Sequence, residues 1–204
     1  MVGPDVPSPV DFHDPAQAAA WETETTRRRL HRPAFFAAIA EAINEIGPRP
    51  VSVIELGSGP GHLIERLQKD CNIGRYVAVD FSTAMHDLAR RRAQGAGVEF
   101  VTLDFRSDDW VAGLSQADVV VTLQSAHELR HTRHLRPWLV QLRSLLRPGG
   151  LLLYCDHYFE ADTTKHRDLF LDREDQLRAV GDAGFLQPIE VLDLGGMMLV
   201  AARA

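Results

Sequence analysis

The 204-residue chain is predicted to be a doubly wound α/β protein, a seven-stranded and mostly parallel sheet with helices on both faces. Three observations predict this. Short apolar, β-branched runs alternate with segments of helical period, which demands parallel strands covered on both sides. The chain closes on two strands joined by Gly195-Gly196, a hairpin that adds an antiparallel strand. Polar residues recur at the carboxyl ends of the strands, where open α/β sheets bind ligands.

The elements follow in order. Residues Ala16 to Ile46 are helical in pattern, with a break at Pro33 and a stop at Gly47-Pro48. "VSVIEL" is a buried strand and "HLIERLQKD" a helix. "RYVAVD" is the second strand, and "STAMHDLARRRAQ" the second core helix, capped by Ser82. "VEFVTLD" and "ADVVVTL" are the third and fourth strands. "RPWLVQLRSLL" is a helix with Pro137 in its first turn. "RPGG" is a turn and "LLLYCD" the fifth strand. "LDREDQLRAVGDAG" is a helix in which Asp172 and Asp175 are spaced as a capping box and Gly184 terminates. "PIEVLDLGGMMLVAARA" supplies the final hairpin.

Bulk properties narrow the function. Hydrophobic residues make up 45% and charged residues 25% of the chain, ordinary values for a globular domain. The net charge of −6 gives no general attraction to phosphate backbones, so no nucleic-acid partner is expected. Arg27–Arg29 and Arg90–Arg92 read as solvated helix faces. Cys71 and Cys155 are too few and too far apart for a disulfide framework, which fits a reducing, cytoplasmic setting. No apolar run reaches membrane-spanning length. The start, "MVGPDVPSPVDFHDP", lacks a basic and then apolar signal, and its prolines mark residues 1–13 as a flexible leader.

The segment "QSAHELRH" holds His127, Glu128 and His131 in the His-Glu-x-x-His spacing of zinc proteases. The neighbourhood opposes that reading. The motif directly follows a strand, Arg130 lies between the two histidines, and Pro137 starts a new helix. A metal site made by His127, His131 and His134 ranks slightly above zinc proteolysis, and no metal is expected.

"ELGSGPGH" follows the first strand and opens a helix. Gly57, Gly59 and Gly61 permit a tight turn and close backbone approach to a ligand. The spacing is G-x-G-x-G, with His62 where a dinucleotide fingerprint needs its third glycine. Asp80, ending the second strand, is placed to take ribose hydroxyls. Asp104 ends the third strand and can accept from an exocyclic amine, and Phe105 can flank a base.

In "VIELGSGPGHLIERL", "YVAVDFSTAMHDLARRR", "VEFVTLDF", "ADVVVTLQSAHEL", "LLRPGGLLLYCDHY" and "DREDQLRAVGDAGF", the chain resembles the class I S-adenosylmethionine-dependent methyltransferases from about Val51 to its end. The resemblance implies a Rossmann-like fold with S-adenosylmethionine as cofactor and S-adenosylhomocysteine as product. It implies that Glu55 organises the loop near the methionine part and that Gly57, Ser58, Gly59 and Gly61 line the cofactor. It further implies that Asp80 holds the ribose, Phe81 and Met85 pack near the adenine, Asp104 binds its amine with Phe105 against the ring, and Thr122–Gln124 pass under the sulfonium. Residues 14–46 become a helical lid, 47–204 the catalytic core, and 157–171 a second lid that includes Lys165 and His166.

His127 is then the expected general base, since imidazole titrates near neutrality, with Asp156 and His157 as further catalytic positions. Tyr158 is an orienting group on the same rim. The rim lacks the Asn/Asp-Pro-Pro-Tyr signature of base and glutamine methylation. It also lacks the carboxylate and amide set by which catechol-type enzymes hold a metal. The expected acceptor is the oxygen or nitrogen of a small molecule. Protein or RNA methylation, and cofactor binding without methyl transfer, are alternatives. The chain is expected to act as a monomer or homodimer, away from membranes.

Overall fold

The computed structural model describes residues 3–93, 97–160 and 167–204. It contains seven strands in one sheet, in the order β3-β2-β1-β4-β5-β7-β6, with flanking helices. The predicted fold class is therefore the observed one. The chain divides into two compact units, Pro9–Asp104, and Met1–Ser8 with Phe105–Ala204.

In the first unit, β1 (Val51–Leu56), β2 (Ile73–Asp80) and β3 (Val98–Thr102) are parallel neighbours. Every residue of β1 is buried, Ser52 and Glu55 among them, as expected for an interior parallel strand. Helices α1 (Pro15–Arg28) and α2 (Arg32–Asn44) precede the sheet. The helix break falls at residues 29–31, and Pro33 begins α2 instead of ending α1. Proline belongs there, because the first turn of a helix needs no N–H from it. Asp14 caps α1, its carboxylate accepting from Ala16 N at 2.8 Å. Helix α3 (His62–Asp70) connects β1 to β2, and α4 (Thr83–Arg92) connects β2 to β3. Ser82 caps α4 as expected, its hydroxyl oxygen accepting from Met85 N at 3.0 Å.

In the second unit, β4 (Ala117–Leu123) and β5 (Leu146–His157) are parallel, while β6 (Leu186–Leu194) and β7 (Met197–Arg203) form the antiparallel hairpin, with β7 against β5. The expected turn "RPGG" lies inside β5 as an irregularity. Pairing jumps from Ala117–Leu146 to Val119–Leu151, and Gly149 takes φ +74°. Helices α5 (Leu135–Ser144) and α6 (Arg173–Asp182) complete the unit. The capping box of α6 does not form. The Asp172 side chain caps nothing and accepts from Arg167 at 3.2 Å, and Asp175 pairs with Arg178.

The expected flexible leader is tethered. Arg130, buried in the second unit, donates from Nε to Val6 O at 2.8 Å and from Nη2 to Pro7 O at 2.7 Å. Arg133 holds Asp5. In the first unit, Phe12 packs with Ala18, Ala84 and Met85, and its carbonyl accepts from the Ser82 hydroxyl. Prolines suggested freedom, but two charge-assisted contacts and a buried aromatic ring outweigh it.

Candidate functional site

In the first unit, β1 runs into a loop that only glycine accommodates. Gly57, Gly59 and Gly61 take φ +66°, +52° and +84°. A Cβ on Gly61 would sit 2.9 Å from Ala89 of α4, so that glycine also permits a close helix approach. Asp80, buried at the end of β2, orders the loop. One carboxylate oxygen accepts from Gly59 N at 2.8 Å and the other from Ser82 N at 2.9 Å. Ser58 N donates to Val79 O at 3.0 Å.

Glu55 is buried and accepts from the Tyr76 hydroxyl at 2.7 Å. Burial pushes its carboxyl up to about 8, with the charge of Asp80 adding to the rise, so it is neutral at pH 7. Its hydrogen-bond partner is the tyrosine of β2.

His62, which stands in place of a third glycine, faces α1. Its Nε2 lies 3.5 Å from Thr26 Oγ1 and 3.7 Å from Glu22. Burial, then the charges of Arg92 and Arg32, lower its pKa. Arg92 joins the same cluster, pairing with Glu22 and donating to Pro60 O in the glycine loop at 2.8 Å. Phe81 packs edge-on against Phe12 and His13, and Met85 is core. Asp104 is half-buried, two residues beyond β3.

These residues fit S-adenosylmethionine. The Ser58 hydroxyl is buried without a hydrogen-bond partner among the described residues. The Gly59 backbone is bare, since a Cβ there would meet nothing nearer than Gly57 O at 4.0 Å. An open glycine backbone beside an unspent hydroxyl and a buried carboxylate suits a ligand rich in polar groups.

In the second unit, the segment after β4 is not the helix a zinc motif needs. Ala126–Leu129 form one 3₁₀ turn, Arg130 ends it at φ +64°, and His131 is extended. His127 and His131 therefore do not share a helix face. His127 is instead bound to Asp156 of β5. Its Nδ1 lies 2.9 Å from Asp156 Oδ1, and its backbone N–H donates to Oδ2 at 2.9 Å. Asp156 also accepts from His157 N at 2.7 Å. Burial alone would raise the Asp156 carboxyl, but the charge and hydrogen bond of His127, with further help from His157, hold it below its ordinary value.

His157 differs from His127. Its Nδ1 is 3.3 Å from Gly196 O, an acceptor only, so Nδ1 carries the proton. Its Nε2 then accepts from the Gln124 amide at 2.8 Å. Both ring nitrogens are engaged, which makes His157 a positioning residue. Gln124 itself sits at φ +54°, with its N–H donating to Cys155 O. Tyr158 donates to Asp193 at 3.0 Å and is directed to the hairpin. Phe105 is buried against Trp110 and Trp138 at ring-centroid distances of 6.4 and 5.3 Å, a core role instead of an open wall.

Phe170 closes this region, 5.6 Å from the His127 ring and 5.9 Å from that of His157. A pocket there is lined by the dyad together with His131, Tyr154, Phe170 and Gln176. Sequence reasoning missed Tyr154, Phe170 and Gln176. No motif marks them, because they meet only through long-range folding. Lys165 and His166 lie outside the described residues.

Residues 53–150 match a family model described as a methyltransferase domain. Those residues form a methyltransferase domain. It is 27% identical over 129 residues to a non-reducing polyketide synthase of Penicillium brasilianum, covering 60% of this chain and 5% of the synthase. It is 27% identical over 143 residues to the phthiotriol/phenolphthiotriol dimycocerosates methyltransferase of Mycobacterium leprae, covering 70% of this chain and 50% of that protein. The solved CurJ carbon methyltransferase shares its fold, with a TM-score of 0.73 at 19% identity over 94% of this chain and 61% of that one. This methyltransferase chain thus spans only a small part of the synthase it matches. No helix among its described residues is long and apolar enough to cross a membrane.

Proposed function

We propose that the chain transfers a methyl group from S-adenosylmethionine to a small-molecule acceptor whose receiving atom gives up a proton, with His127 as general base. The supporting observation is the double attachment of His127 to the buried Asp156. Asp156 accepts the hydrogen bond from Nδ1–H, which leaves the basic lone pair at Nε2 and fixes the ring plane. His157 N–H steadies the carboxylate, so Asp156 positions the base.

When bound, the cofactor supplies an activated methyl group on a sulfonium. With the cofactor held by the first unit's loop it would supply the methyl group, and His127 Nε2 would take the proton that the accepting atom gives up. Such a base contributes roughly 10²–10⁴-fold to the rate, and alignment of the reactants contributes more. Gly57, Ser58, Gly59, Gly61 and Asp80 bind the cofactor, and residues 14–46 act as its lid. The Arg92 link from Glu22 of α1 to the glycine loop supports that lid assignment.

The acceptor atom is an oxygen or nitrogen. An acidic carbon is the second reading, favoured by the likeness to the CurJ carbon methyltransferase and to a polyketide synthase. Neither a nucleic acid nor a protein acceptor is favoured by the net charge of −6, which opposes binding to phosphate backbones. Cys71 and Cys155, neither of them in a disulfide, support a reducing, cytoplasmic setting.

The test is a panel of phenols, hydroxy acids, amines and β-dicarbonyls incubated with methyl-labelled S-adenosylmethionine. Label transferred by the wild type and lost in His127→Ala supports the reading. Cofactor binding with no transfer to any class would move the chain to a binding protein.

A further inference from the structure

Two buried polar atoms in the pocket beside the dyad have no hydrogen-bond partner among the described residues, His131 Nε2 and Gln176 Oε1. Their chemistry follows from the bonds the same side chains do make. His131 Nδ1 accepts from Arg133 N at 3.1 Å, so the ring proton sits on Nε2, which is a donor. The nearest carboxylate oxygen, on the exposed Asp168, lies 3.9 Å away, beyond hydrogen-bond reach. The Gln176 amide nitrogen donates to His157 O at 2.6 Å, which leaves Oε1 as an acceptor. His131 is 8% exposed and Gln176 only 1%, so water outside the fold does not satisfy them. Each unsatisfied buried group costs about 1–3 kcal/mol, which a matched ligand recovers.

One donor and one acceptor, with Leu135, Leu169 and Phe170 beside them and His127, Tyr154 and Asp156 in the same lining, match a group that accepts and donates through a single atom. A neutral hydroxyl does so. We propose that this pocket is an acceptor subsite that anchors a hydroxyl on an apolar body, its oxygen accepting from His131 Nε2–H and its proton donated to Gln176 Oε1. The anchored hydroxyl is distinct from the atom that His127 deprotonates. The acceptor class is thus an apolar, hydroxylated small molecule. This inference rests on the reading of His127 and Asp156 as the acceptor-side machinery.

The experiment titrates the full chain with phenol, anisole and toluene, following the backbone amide shifts of His131 and Gln176 by NMR. The three share an apolar ring and differ in offering a donor and acceptor, an acceptor alone, or neither. Phenol is expected to bind about tenfold or more tightly than the other two, as loss of a buried hydrogen bond implies. The preference is expected to collapse in His131→Phe and, independently, in Gln176→Met, each checked for folding by thermal melting. Equal binding of the three compounds, shifts confined to other residues, or an ordered water that bridges the two atoms and is not displaced by phenol would overturn the proposal. A parallel titration with S-adenosylhomocysteine separates two failures. Cofactor product bound without phenol preference defeats this inference alone, whereas no product binding defeats the methyltransferase reading beneath it.

Discussion

The strand ends of residues 9–104 and those of residues 105–204 solve different problems. In the first unit a glycine backbone forms the loop, and Asp80 with the loop's own hydrogen bonds holds its shape. Asp80 ties Gly59 and Ser82, and Gly61 lets α4 approach. In the second unit the working groups are side chains brought together over long sequence separations. His127 meets Asp156 across 29 positions, and Gln124 meets His157 across 33. A backbone cradle tolerates few sequences and binds one shape of ligand. A side-chain pocket can change its residues while the sheet stays the same. Cofactor recognition is therefore expected to fail through loop geometry, and turnover through individual side chains.

The largest expected effect tests the second unit. His127→Ala should lower turnover by roughly 10²–10⁴-fold and leave S-adenosylhomocysteine affinity within about twofold, measured by steady-state kinetics and calorimetry. A parallel loss of cofactor affinity would erase the division between the units. Next, Asp80→Ala should weaken S-adenosylhomocysteine binding by roughly a hundredfold, since it removes a carboxylate that also orders two loop amides. Unchanged affinity would remove Asp80 from the cofactor site.

Gly61→Ala should cost about 1–2 kcal/mol for its left-handed backbone alone, plus the clash at Ala89, and denaturant unfolding would measure it. A stability equal to wild type would show that α4 can retreat.

The smallest effect concerns Glu55. Its pKa rises from 4.5 to about 8 on folding. Between those values the folded chain keeps a proton that the unfolded chain has released, so the stability present below pH 4.5 is lost as pH rises through about 8. Glu55→Gln removes that dependence. Relative to wild type, its melting temperature should gain a few degrees between about pH 5 and about pH 8.5. A gap independent of pH would show that Glu55 is ionised when buried.

This contrast also explains what was legible in the sequence. The sheet could be read because each strand is a local apolar run, and the glycine loop because positive φ selects a residue type visible in the chain. Ser82 could be placed because its cap depends on Met85 three positions away, and Asp80 because it ends an apolar strand just before that cap. Pro33 and the Asp172–Asp175 pair misled, because local spacing permits more than one use and tertiary partners choose among them. The His-Glu-x-x-His letters were discounted on their neighbourhood, and the physical reason is local: the spacing matters only on a helix, and Arg130 at φ +64° ends the turn. His157 resembled a second base until its two nitrogens found Gln124 and Gly196. Tyr154, Phe170 and Gln176 carried no local signal at all.

Calorimetric titration of S-adenosylhomocysteine into the full chain tests the central claim most directly. The account predicts one-to-one binding in the micromolar range that weakens by roughly a hundredfold in Asp80→Ala. Absence of both binding heat and thermal stabilisation at millimolar S-adenosylhomocysteine would contradict it.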